Sequence, residues 1–174
     1  MTPARANPVD PTARTIATEI FIARDIADVW AVLVDFAAYG QWNPYIVRID
    51  GEAKAGTVIT VHAARMELQP ALAQNIDLVS IFPYTMRWQG GLPDRSEFAG
   101  DHWFVLDAAG PDETRLKHYE HFTGSRVPQF GAGDEAAVVR NFERFNRALK
   151  ARCEGGQIWN RRWEEKVECS FIKD

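Results

Sequence analysis

The feature that most constrains this chain is one long stretch of helical periodicity near its end. Val138, Phe142, Phe145 and Leu149 recur at helical spacing, while Arg140, Glu143, Arg147 and Lys150 fall mostly on other faces. Such a stripe predicts an amphipathic α-helix of about 30 Å that is apolar on one side only. Asp134 suits its N-cap and Gly155-Gly156 its stop, so the helix is expected from about Asp134 to Cys153. A helix of this kind needs a surface against which to bury its stripe.

The residues ahead of it supply strands. From Arg14 to Ala23, Thr15, Ile16, Ile20, Phe21 and Ile22 make a β-rich run. Asp25 then suits an N-cap, and Val29, Trp30, Leu33 and Val34 predict a short helix, followed by a helical turn over Phe36 to Gly40. Trp42-Asn43-Pro44 ends the pair, because proline disfavours helical geometry in the residue before it. Strand-like segments follow at about 46–51, 57–66, 73–82, 84–90, 97–107 and 114–124, broken by turn residues such as Gly51, Gly56, Pro70, Pro83, Gly90-Gly91 and Gly110-Pro111. No helical run separates them, which favours an antiparallel meander over βαβ units. The expected class is α+β: a seven-stranded curved antiparallel sheet around a long C-terminal helix, with two short helices after strand one.

The 174 residues suffice for one domain. The expected division is a flexible N-terminal arm over 1–13, the domain over 14–156, and a C-terminal extension over 157–174. In that extension Trp159, Trp163 and Val167 recur every four residues. Two tryptophans favour docking, as a lid near a cavity mouth or as the contact of a homodimer; the alternative is a disordered tail.

Composition excludes several classes. Twenty basic against twenty-four acidic side chains give a net charge of -4 with no basic stripe, so no nucleic-acid partner is expected. The longest apolar runs, such as Val29 to Val34, are far too short to span a bilayer, and the N-terminus lacks the apolar core of a secretory signal. Cys153 and Cys169 show no CxxC spacing, which with the missing signal points to reduced thiols and a cytoplasmic protein. Dinucleotide, P-loop, nucleophile-elbow and zinc-protease motifs are missing, so no cofactor is expected.

Strand alternation places chemistry inside. Leu116, His118, Glu120 and Phe122 share one face, as do Phe98, Gly100, His102, Phe104 and Leu106. If these strands form a hairpin, His102 falls opposite either Glu120 or His118. An inward carboxylate is unfavourable unless paired or employed, and a histidine beside it suits proton transfer to or from a carbonyl substrate. His102, His118 and Glu120 are therefore the candidate acid-base residues. The plainer alternative is a satisfied polar network that sets strand register. Two His and one Glu are also metal-ligand types, but their spacing matches no metal signature and no metal is expected.

Across about residues 14 to 154 the chain resembles the START-like proteins of the polyketide cyclase/dehydrase and lipid-transport type. The segments that carry the resemblance are Val29-Trp30, Asp35-Phe36 with Tyr39, Trp42-Asn43-Pro44, Gly56, Trp88, Gly100 to Phe104, His118 to Gly124, and Asn146 with Leu149-Lys150. The resemblance implies a helix-grip fold whose curved sheet and single helix leave a cavity for an apolar ligand. Trp42, Asn43, Tyr45, Tyr84, Met86, Trp88, Phe104, Phe122, Phe130, Val139 and Phe142 are the residues expected to line it. For any one ring, simple core filling is the alternative, and Asn43 suits a turn cap equally. The loop from Gly124 to Gly133 resembles an entrance segment. The expected function is binding of a hydrophobic, aromatic or polycyclic small molecule, with cofactor-independent cyclase or dehydratase chemistry on a carbonyl; the alternative is a carrier or receptor of a lipid-like ligand.

Overall fold

The structure is a computed structural model that describes residues 10–64 and 72–155. Strand β1 (Ala13–Ile22) turns Ile16, Thr18, Ile20 and Ile22 to one side, and both Ile16 and Ile22 are buried. Helix α1 (Ile26–Val34) starts where the Asp25 carboxylate accepts the Ala27 N–H at 2.8 Å, and it buries Val29 and Leu33. A 3-10 turn (Phe36–Ala38) leads into α2 (Tyr39–Trp42), which ends at Asn43. The remaining strands are β2 (Ile46–Asp50), β3 (Thr57–Ala63), β4 (Leu72–Phe82), β5 (Thr85–Gly91), β6 (Ala99–Gly110) and β7 (Glu113–Thr123), and α3 (Ala132–Cys153) follows.

The seven strands form one antiparallel sheet in the order β1-β7-β6-β5-β4-β3-β2. Strands β2 to β7 make the expected meander, while β1 closes onto β7. The first two strands thus become opposite edges, and α1 and α2 bridge them. Register shifts in β2, β4 and β6 mark bulges, which bend and twist strands and so curl the sheet. Helix α3 lies within the curl, packed mainly on β1 and also on β7 and α1. Its stripe is buried as expected at Phe142, Phe145 and Leu149. The far end of α3 is tied to the β1–α1 corner, where Arg24 donates to the Cys153 carbonyl at 2.7 Å and Lys150 donates to that of Phe21 at 2.7 Å.

Four expectations need correction. Helix α3 begins before Asp134, with Gly131 as N-cap; the Asp134 carboxylate instead reaches back to accept the Gly131 N–H at 3.0 Å. Tyr84 is not on a strand face. Phe82 pairs with Thr85, leaving Pro83-Tyr84 as a two-residue turn in which Tyr84 takes φ 109°, and its ring meets Trp30 edge-on. Proline at the first turn position favours this, although φ is then positive at the second. The β6–β7 turn is Pro111-Asp112, because Gly110 still pairs with Glu113. The expected third strand reached residue 66; β3 ends at Ala63, and 65–71 lie outside the described residues, as do 1–9 and the proposed docking segment 157–174.

Candidate functional site

The register resolves the open choice on β6 and β7. His102 stands opposite Glu120 and Phe104 opposite His118, all on the inner face. On the other flank of β6, Trp88 stands opposite His102. The two histidines nevertheless meet diagonally, with Nε2 to Nε2 at 2.6 Å. His118 Nδ1 lies 2.8 Å from Asn146 Oδ1 on α3. Asn146 Nδ2 donates to Thr18 Oγ1 on β1 at 2.9 Å, and Thr18 Oγ1 donates to the His118 carbonyl at 3.2 Å. At the other end, Glu120 Oε2 stands 3.5 Å from His102 Nδ1.

One polar chain therefore runs through three strands and the gripped helix. Rings enclose it: His118 stacks on Phe142 at 4.1 Å and on Phe104 at 4.5 Å between centroids, and His102 stacks on Phe104 at 4.7 Å. His118 is wholly buried. Burial pushes its imidazole down to about 3, against a smaller opposing effect of the Asn146 contact. Burial, then the neighbouring His118, lowers His102 well below the usual histidine value. Burial pushes Glu120 up to about 8, and the Asp101 charge adds to this. Asp101 itself faces outward and holds Arg87 through two contacts of 2.7 and 2.9 Å. The interior thus favours neutral imidazoles beside a neutral carboxyl.

Glu120 lies where it does because β6 carries no side chain at Gly100, where a Cβ would overlap its carboxyl. Gly90 pairs with Gly100 across β5 and β6, so two glycines adjoin on the inner face. The expected lining residues separate into two buried groups on either side of the histidines. Trp42, Tyr45, Tyr84, Met86, Trp88 and Phe104 belong to one; Phe122, Phe130, Val139 and Phe142 belong to the other, with Phe98 stacked on Phe122. Asn43 uses its carbonyl as a turn cap, accepting from the Tyr45 and Ile46 N–H groups at 2.9 and 2.8 Å. Among the described residues its Nδ2 and Trp42 Nε1 are buried without hydrogen-bond partners. The Gly124–Gly133 loop is anchored by buried Val127 and Phe130. A pocket of about 370 Å³ lies on the outer face, beside Gln89, Asp101, His121 and Thr123, across the sheet from Glu120. Among the described residues no group of three or more His, Cys, Asp or Glu side chains has metal-binding geometry, and no helix is long and apolar enough to cross a membrane.

Thr18 was not singled out from sequence, Gly100 was placed on the inward face and in the family resemblance without a role, and Asn146 entered only through that resemblance. A signal existed for two of them. Asn146 interrupts the apolar stripe of α3, four residues after Phe142 and three before Leu149, and Thr18 shares the inward face of β1 with isoleucines.

A curled seven-stranded sheet gripping one long helix, with two short helices across its edges, defines a START-like helix-grip protein. Residues 13–154 match the family described as polyketide cyclase/dehydrase and lipid transport, and the chain belongs to that family. A START superfamily protein from Mycobacterium smegmatis is 18% identical, with a TM-score of 0.63 over 81% of this chain and 97% of that chain. The Zhui aromatase/cyclase from Streptomyces sp. R1128 is 16% identical, with a TM-score of 0.63 over 83% and 99%. Truncated norcoclaurine synthase from Thalictrum flavum is 11% identical, with a TM-score of 0.64 over 87% and 100%. At such identities these likenesses show the fold. No curated protein matches the chain in sequence.

Proposed function

We propose that this protein binds an apolar, ring-bearing small molecule against the inner face of its sheet and carries out cofactor-independent acid-base chemistry, of cyclase or dehydratase type, on a carbonyl group of that molecule. The observation that carries this reading is the graded burial of the polar chain. Side-chain exposure is 18% for Glu120 and 9% for His102, and His118 is fully buried, so Glu120 is the member open to a ligand. Trp88 and Phe122, 4% and 5% exposed, present flat apolar edges on the same inner face over the fully buried Phe104. One relative in fold is an aromatase/cyclase, and the family description names cyclase and dehydrase alongside lipid transport.

The second reading is a carrier or receptor that holds a lipid-like ligand unchanged, with Glu120 orienting a polar end group. It is favoured by the closed far end of the chain, which stops at Thr18 and a backbone carbonyl. Mass spectrometry of small molecules that copurify with the full chain supplies the ligand. With it, Glu120→Gln is expected to lower turnover at least a hundredfold while affinity changes less than fivefold; a loss of affinity alone identifies a carrier. An empty protein that also fails to bind anilinonaphthalene sulfonate removes both readings.

A further inference from the structure

The carbonyl of His118 accepts but cannot donate, so the single hydroxyl hydrogen of Thr18 is committed to it. Thr18 Oγ1 must then accept at its other contact, which turns the N–H end of the Asn146 amide toward it and the oxygen end toward His118. His118 therefore carries its hydrogen on Nδ1. A neutral imidazole has one N–H, so His118 Nε2 is an acceptor and the hydrogen in the 2.6 Å contact belongs to His102 Nε2. That leaves His102 Nδ1 with a lone pair aimed at Glu120 Oε2, 3.5 Å away. A carboxylate charge facing that lone pair is repelled, and protonation at either carboxyl oxygen removes the charge.

We infer that Thr18 and Asn146 are positioning residues that set the direction of every hydrogen in this chain and thereby hold Glu120 as a neutral carboxylic acid, matched to an uncharged ligand oxygen such as a ketone and not to an ammonium group. The spacing of 3.5 Å is long for a hydrogen bond, so the acid hydrogen of Glu120 is not committed to His102. The titratable and charged groups facing Glu120 agree with this. His102 and outward-facing Asp101 come from β6, and His118 from its own strand. Ile16 of β1 stands opposite Glu120 and brings no charge, and Arg14, two residues along the same face, is held by Glu135 and the Phe130 carbonyl. Trp88 of β5 and Phe142 and Asn146 of α3, which contact the histidines, bring no charge. The burial that raises Glu120 acts in the same direction.

The choice of ligand class rests on the proposed binding at Glu120, but the hydrogen positions do not, and they can be read without a ligand. In the full chain labelled with 15N, imidazole nitrogen shifts at pH 7 are expected to show His118 protonated on Nδ1 alone and His102 on Nε2 alone. The reverse pair of tautomers overturns the inference. Infrared difference spectra between wild type and Glu120→Gln are expected to contain a protonated-carboxyl band at pH 7; a carboxylate band in its place overturns it equally. Thr18→Val is expected to let the Asn146 amide turn over and a second His118 tautomer appear, and Thr18→Ser to keep the single one. An unchanged tautomer in a folded Thr18→Val protein removes Thr18 from the mechanism, and if that variant does not fold, the wild-type and Thr18→Ser spectra decide. As probes of the ligand class, 2-acetylnaphthalene is expected to bind at least tenfold more tightly than 2-naphthylmethylamine. Equal or tighter binding of the amine overturns the assigned class, whereas binding of neither probe with the expected tautomers in place counts against the proposed function alone.

Discussion

At the scale of single residues, the decisive pair is Glu120 and Gly100. Glu120 is charged in almost any surface setting, yet here burial raises it to about 8 and the missing side chain at Gly100 gives its carboxyl a place to lie. Gly100→Ala separates function from stability. The new methyl collides with the end of a flexible side chain and not with backbone, so Glu120 swings aside. Expected is a loss of about 1 kcal/mol or less in urea unfolding, with at least a tenfold loss of turnover or ligand affinity. Equal activity in a folded Gly100→Ala protein would show that the position of this carboxyl does not matter. Gly124 behaves differently: its φ is 125° and a Cβ would strike the Glu97 carbonyl. A main-chain neighbour cannot move away cheaply.

At the scale of elements, α3 does two jobs with one face. Phe142, Phe145 and Leu149 bury its stripe, and Asn146 among them reaches the histidines. Phe142 also stacks on His118 at 4.1 Å and packs with Phe122 and Phe130. Phe142→Ala should therefore cost about 3–5 kcal/mol, as deletion of a buried phenyl ring usually does, and also weaken binding of the copurified ligand. A midpoint in urea within the range of surface variants would mean that the space around Phe142 collapses without loss. The periodicity of α3 was legible from sequence because apolar spacing is a local property. Its first turn was read one cap too late, since Asp134 fits an N-cap and an N3 position equally well by residue type. Tyr84 was misplaced on a strand because alternation continues through the turn, and only the pairing of Phe82 with Thr85 reveals the hairpin.

For the whole molecule, the buried titratable groups make opposite contributions with pH. His118 takes up a proton near 6.5 when unfolded but only near 3 when folded, so its contribution is present above pH 6.5 and is lost as pH falls toward 3. Glu120 is displaced the other way, near 4.5 unfolded and about 8 folded, so its contribution is present below pH 4.5 and is lost as pH rises through 8. Urea midpoints should therefore show Glu120→Gln gaining on wild type between pH 4.5 and 8, with unchanged unfolding slope; a difference independent of pH would mean that Glu120 titrates as it does in water. Acid below pH 6.5 should destabilise the wild type through the histidines. The sequence by itself determined the element order, the antiparallel meander, the gripped helix and the inward direction of His102, His118 and Glu120, because strand and helix periods are written in the spacing of neighbouring residues. Only the tertiary structure decided that β1 closes onto β7, that His102 stands opposite Glu120, and that Thr18 and Asn146, 128 residues apart, join one hydrogen-bonded chain. Such contacts depend on register and curvature, where a shift of one residue reverses every side chain, and no local pattern carries that information.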